Sequence, residues 1–199
     1  PPPPTRMSLP SVLQYAHVLL AGALSPGDVA IDATVGNGHD TAFLADCVGT
    51  DGRVFGFDVQ RDALEATARR LSDDQLDRSV TLLHAGHQHL ARRVPSDLHG
   101  RVGAVAFNLG YLPGGDHTIT TKPQTTLRAL DAACDVLRDG GVITAVLYSG
   151  HSGGRAEVEA VREWAQARPS DLFLATVHRP LNRTDPPQLL AVERRDGGG

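Results

Sequence analysis

The chain has little lysine, cysteine or aromatic content, and each shortage narrows its function. Lys122 is the single lysine among 19 basic residues, and the net charge is −4. With no basic run or tail, the chain lacks the footprint of a tight, sequence-independent nucleic-acid binder. Any contact with nucleic acid must come from a local patch assembled by folding. The bias toward arginine reads as genomic composition. Only two cysteines occur, Cys47 and Cys134, and their spacing suits neither a disulfide framework nor a metal site. They read as buried, reduced thiols of a cytoplasmic protein. No apolar run approaches the roughly 20 residues that span a bilayer. Nor does a basic segment followed by an apolar one mark a secretory signal.

What remains is ordinary globular material: 199 residues, 41% hydrophobic and 21% charged. That is enough for one full α/β core. Pro1 to Pro4 predict a disordered leader running to residue 7, with Met7 near the true start, and one domain over residues 8–195. Gly197–Gly199 reads as a frayed tail. The pattern is compatible with a monomer or a homodimer.

Apolar positions from Pro10 to Leu24 follow helical spacing, and Ser25-Pro-Gly-Asp28 ends that helix. Seven strand patterns follow, at Val29–Ala33, Val54–Phe57, Val80–Leu83, Val102–Phe107, Val142–Leu147, Leu172–Val177 and Gln188–Val192. Helical patterns lie between most of them: His39–Cys47, Arg61–Leu71, Gln88–Val94, Pro123–Leu137 and Gly154–Ala167. Alternating strands and helices predict a mostly parallel sheet with helices on both faces. The last two strands are joined without a helix, which predicts an antiparallel C-terminal hairpin.

In such a sheet, ligands bind beyond the carboxyl ends of the strands, where the strand order reverses. After the first strand comes Asp32-Ala-Thr-Val-Gly-Asn-Gly-His-Asp-Thr41. Gly36 and Gly38 permit positive φ and let the backbone approach a ligand closely. Thr41 stands where a dinucleotide fingerprint would place its third glycine, and Asp32 precedes Gly36 by four residues. The resulting Asp-x-x-x-Gly-x-Gly resembles the first motif of class I S-adenosylmethionine (SAM) methyltransferases, so SAM is the expected cofactor. Asp32, Thr34, Asn37, Asp40 and Thr41 are candidate contacts from this loop; Asp40 and Thr41 also suit the first turn of a helix. The second strand ends in Asp58, placed to grip a ribose diol or else to cap the next helix, with Val59 and Gln60 beside the adenine. Gly86 and His87 follow the third strand. His84, His87 and His89 lack the companions of a metal site, so no metal is expected.

The fourth strand runs into Asn108-Leu-Gly-Tyr-Leu-Pro-Gly-Gly-Asp-His117. Asn108 and Tyr111 resemble the Asn-Pro-Pro-Tyr element of amine-directed methyltransferases. A neutral amine needs acceptors that orient its lone pair, which an Asn oxygen supplies, and Asn108 also borders the cofactor. Asp116 and His117 could bind the substrate or take a proton. Thr121-x-x-Gln124 with Pro123 predicts a capping box, with Lys122 solvated. Tyr148-Ser-Gly-His-Ser-Gly-Gly154 is either a phosphate-holding loop or an ordinary turn, and Tyr148 and His151 are substrate candidates. Asn182 lies in a polar loop whose neighbours Arg179 and Arg183 either reach a nucleic-acid backbone or are surface charge.

Together, the loops at residues 32–41, 108–117, 148–154 and 182–190 resemble the small bacterial SAM-dependent family long labelled rRNA methylases. The likeness spans Gln14 to Arg194. It implies a class I methyltransferase of tRNA, converting wobble 5-aminomethyl-2-thiouridine to its 5-methylaminomethyl form. It also implies cofactor roles for Gly36, Asn37, Gly38 and Asp58. Acceptor roles fall to Asn108, Tyr111, Asp116 and His117, with His17 over the cleft. The residues leave three other readings: methylation of another RNA such as rRNA, methylation of a small amine metabolite, or a SAM-binding sensor.

Overall fold

The computed structural model describes residues 9–114 and 118–196. Asp116 and His117 lie outside the described residues, as do the expected leader and tail. Seven strands form one sheet: β1 (Val29–Asp32), β2 (Arg53–Asp58), β3 (Val80–His84), β4 (Val102–Leu109), β5 (Leu137–Leu147), β6 (Phe173–His178) and β7 (Gln188–Arg194). Their order is β3-β2-β1-β4-β5-β7-β6. Pairing is parallel from β3 through β5, and β7 runs antiparallel to both β5 and β6. The expected architecture is present, hairpin included. Because β7 alone is reversed, β6 ends on the same sheet edge as the parallel strands.

Strand alternation divides the core in two. Ile31, Phe55, Val105 and Phe107 point to one face. There they meet Leu130 of α5 (Pro123–Val136) and Val158, Val161 and Trp164 of α6 (Gly154–Gln166). Their neighbours Ala30, Val54, Ala104 and Ala106 point to the other face. They pack on Leu20 of α1 (Val12–Ala23) and on Leu44, Ala45 and Val48 of α2 (His39–Val48). Three alanines on that face let α1 and α2 lie close to the sheet. Alpha-helix α3 (Arg61–Asp73) covers β2 and β3. The helix expected at Gln88–Val94 is instead a 3₁₀ turn, His87–His89, running into the single turn α4 (Leu90–Arg93).

Local signals set most boundaries. Ser11 and Gln14 form a capping box at the start of α1 that the sequence reading did not single out. The one predicted at Thr121 and Gln124 is absent: Lys122 occupies the N-cap position of α5 and no side chain caps it. The Thr121 hydroxyl donates instead to the Glu157 carboxylate at 2.6 Å, as does that of Thr126. Glu157 is buried in α6, and a buried carboxylate is a stronger acceptor than its competitors, so it takes both hydroxyls. Pro123 does hold the first turn, as expected. Helix α5 stops at Val136 rather than Leu137, because Leu137 already pairs with Val102. A register shift then carries β5 through Gly140 (φ +70) into its main ladder.

Ala104 has no exposed surface and sits under Leu20 and Leu44. Enlarging it overpacks the closer face. Ala104→Leu is expected to lower unfolding free energy by about 1–3 kcal/mol, read from the urea midpoint at unchanged m-value.

Candidate active site

The strand order reverses between β1 and β4, and a cleft of about 970 Å³ opens there at their carboxyl ends. Its floor is the turn after β1. Gly36 (φ +50) and Gly38 (φ +77) adopt conformations that L side chains rarely take. A Cβ on Gly38 would lie 2.6 Å from the Thr67 hydroxyl. That hydroxyl donates to the Gly36 carbonyl at 3.2 Å, so α3 closes the turn from outside.

Carboxylates hold the same turn. Asp58, at the tip of β2, accepts from Gly36 N–H and Gln60 N–H, both at 2.8 Å. It does not cap α3, whose N-cap is Gln60 without a side-chain bond. Asp32 is fully buried and accepts from Thr34 N–H (3.1 Å) and the Thr41 hydroxyl (2.6 Å). Burial, and then the nearby Asp40 charge, push its carboxyl up to about 7. Thr34 Oγ1 in turn accepts from Asn108 N–H at 2.7 Å, joining the tip of β4 to the turn.

Asp40, in the first turn of α2, bridges two elements. Its Oδ2 accepts from Asn108 Nδ2 at 2.6 Å, and its Oδ1 meets His17 Nε2 of α1 at 2.7 Å. His87 is buried edge-on to Phe107. Burial drives its imidazole down to about 4, partly offset by a hydrogen bond to the Ala33 backbone, so it is neutral at physiological pH. Burial, then Asp40, raise the Tyr148 phenol. His151 Nδ1 donates to Ser152 O at 3.0 Å, and its buried Nε2 has no partner among the described residues. Its ring stands edge-on to Tyr111 at 6.1 Å.

The cleft wall gathers His17, Thr34, Gly36, Asn37, Asp40, Asp58, Val59, Gln60, Gly86, His87, Asn108, Tyr111, Tyr148 and His151. Asp32 and Thr41 are not on it: both are fully buried beneath the turn, as braces rather than wall. Gly38 is set back as the N-cap of α2. Asn182 lies on the exposed loop outside the wall, while Asp185 and Pro187 of that loop reach it. The sequence reading missed Leu13, Leu112 and the strip Thr118–Thr121. Leu13 was findable, since it precedes His17 by four residues and shares its helical face, off the buried stripe Val12, Ala16, Leu20. No group of three or more His, Cys, Asp or Glu placed to hold a metal occurs among the described residues. No helix among them is long and apolar enough to cross a membrane.

SAM fits this cleft. Its sulfonium and ammonium outweigh its carboxylate by one positive charge, and Asp40 and Asp58 present negative charge on the wall. The Gly36 backbone leaves the space that close approach needs, since a Cβ there would meet Leu112 at 3.1 Å. Sheet, turn and cleft define a class I SAM-dependent methyltransferase.

Within that class the chain belongs to the family described as "Putative rRNA methylase", whose model matches residues 54–193. It is 39% identical over 191 residues to the chloroplastic tRNA (mnm(5)s(2)U34)-methyltransferase of Arabidopsis thaliana, covering 92% of this chain and 69% of that one. It also resembles a Clostridium thermocellum structure named "putative rRNA-methylase", at 41% identity and a TM-score of 0.90, covering 94% of this chain and 100% of that one. A Streptococcus mutans "putative methyltransferase" solved in complex with SAH is 32% identical, with a TM-score of 0.84 and coverage of 94% and 99%.

The raised Asp32 carboxyl has a defined consequence. Between the ordinary carboxyl range and pH 7, the folded protein keeps a proton that the unfolded chain has lost. This contribution therefore lowers stability as pH rises through that window and is flat above it. His87 has the opposite sign: its lowered pKa adds stability as pH rises from about 4 to 6.5. Asp32→Asn removes only the first term. The urea midpoint of the variant should gain on wild type between pH 4.5 and pH 8, and parallel curves would refute the shift.

Proposed function

We propose that this SAM-dependent enzyme methylates RNA, and that its acceptor is the primary amine of 5-aminomethyl-2-thiouridine at the wobble position of tRNA. The observation that carries this reading is Asn108, held by Asp40 at the tip of β4 and lining the cleft beside the turn after β1. The 39%-identical relative named for that nucleoside supports it.

Bound SAM supplies an electrophilic methyl group on its sulfonium. Everything else falls to the chain. Of the residues lining the cleft, Asp58 would hold the ribose diol, and Val59, Gln60, Gly86 and His87 would take the adenine. Gly36 and Asn37, also on the lining, would take its amino-acid end. The Asn108 side-chain oxygen accepts an N–H of the neutral amine, which turns the nitrogen lone pair toward the methyl. Tyr111 offers its ring to the flat base from the half-exposed loop. A new N–C bond forms as the S–C bond breaks with its electron pair returning to sulfur. The methylated amine leaves with an extra proton that it exchanges with water, so no strong base is required.

Purified protein should transfer a methyl group from SAM to tRNA carrying the 5-aminomethyl nucleoside, detected by nucleoside mass spectrometry. tRNA from cells lacking the protein should accumulate the unmethylated form. Asn108→Ala should lower kcat by about a hundredfold and leave SAM affinity by calorimetry almost unchanged. Transfer to small amines but not to tRNA would overturn the RNA reading. SAM binding with no turnover on either would make the chain a sensor.

A further inference from the structure

His17 is on the cleft wall without a task in the reaction just described, and Asp40 enters it only by holding Asn108. Their geometry supplies one. A carboxylate can only accept hydrogen bonds, so Asn108 must turn its NH₂ toward Asp40 Oδ2, at 2.6 Å. The Asn108 oxygen is then the end left for a second partner. The opposite rotamer would be harmful. An NH₂ facing the acceptor amine would donate to its lone pair and occupy the electrons that attack the methyl group.

Asp40 can impose this choice only if it is itself held. For the same reason of acceptor chemistry, His17 Nε2–H must donate to its Oδ1, at 2.7 Å. The His17 ring is also stacked face to face on Phe43, with centroids 3.9 Å apart and planes within 6°. Phe43 follows Asp40 by three residues on α2, so one helical face grips the imidazole at both its edge and its plane. The two carboxylate oxygens thus have one committed donor each, from α1 and from β4.

We propose that His17 is a positioning residue: acting through Asp40, it fixes the Asn108 amide so that oxygen, and not nitrogen, faces the acceptor amine. This rests on the acceptor role given to Asn108 above.

Two substitutions separate the hydrogen bond from the ring. His17→Phe keeps the stack on Phe43 and removes the donor; His17→Gln keeps an N–H donor of similar reach and removes the ring. With saturating SAM and tRNA, His17→Phe should lose about tenfold or more in kcat with both KM values within about twofold, while His17→Gln stays near wild type. The reverse order, equal losses, or no loss in either variant would overturn the proposal. A readout independent of turnover is the ¹H–¹⁵N signal of the Asn108 side-chain amide, assigned by its absence in Asn108→Ala. Its two protons should stay well separated in wild type and His17→Gln and collapse toward free-amide positions in His17→Phe. If these spectra behave so while wild type methylates no RNA, the assigned reaction fails and the positioning role stands. If wild type methylates RNA and His17→Phe matches it in both measurements, the positioning role alone fails.

Discussion

The turn after β1 is held in place by carboxylates, and the cleft depends on that arrangement. Asp32 grips it from beneath, Asp58 from the side through Gly36 N–H, and Asp40 reaches from it to α1 and β4. Gathering three acids round a backbone with few side chains of its own is unfavourable in isolation. Burial disfavours the charged form and the like charges add to the effect, which is why the Asp32 carboxyl is pushed up to about 7. The arrangement becomes favourable when a cation enters. A ligand of net positive charge would relieve that repulsion.

The scaffold around the turn is asymmetric for a related reason. Large side chains such as Phe107 and Trp164 fill the face under α5 and α6, while alanines line the face under α1 and α2. Small residues there let α1 lie close enough for His17 to reach the first turn of α2. The reversed strand β7 does similar work at the far side of the sheet. It returns the end of β6 to the cleft edge, so Asp185 and Pro187 join the wall. The site thus draws on elements from α1 to the last hairpin, most of them anchored in one sheet.

Much of this was legible in the sequence because its cause is local. Short β-branched runs predict the strands, and the helical patterns between them predict helices on both faces of the sheet. The glycines at 36 and 38, the acid at the tip of β2 and Asn108 at the tip of β4 fall where the topology needs them. What escaped has distant causes. Thr121 carries a good capping signature, but Glu157, 36 residues later, takes its hydroxyl. Asp32 looks like a ligand contact, yet the Thr41 hydroxyl and Thr34 N–H enclose it beneath the floor. In a motif such as Asp-x-x-x-Gly-x-Gly, spacing does not say whether the acid faces the ligand or braces the turn that does.

The same distinction bears on how a net acidic protein acts on RNA. Charge on the cofactor side of the cleft must be negative to hold a cation, and nucleic acid is repelled by that sign. The acids of the floor are each held by hydrogen-bond donors. Asp32 is buried and half-neutral near pH 7, and Asp40 and Asp58 have their oxygens engaged by backbone and side-chain donors. Lys122 lies on the wall at the start of α5, and Arg155 at the start of α6 is tied to Asp185 at 2.6 Å. Lys122 is therefore the cation on the cleft wall at the start of α5, while the charge of Arg155 is balanced by Asp185. With a net charge of −4, any contact with RNA must come from such local groups rather than from the global balance.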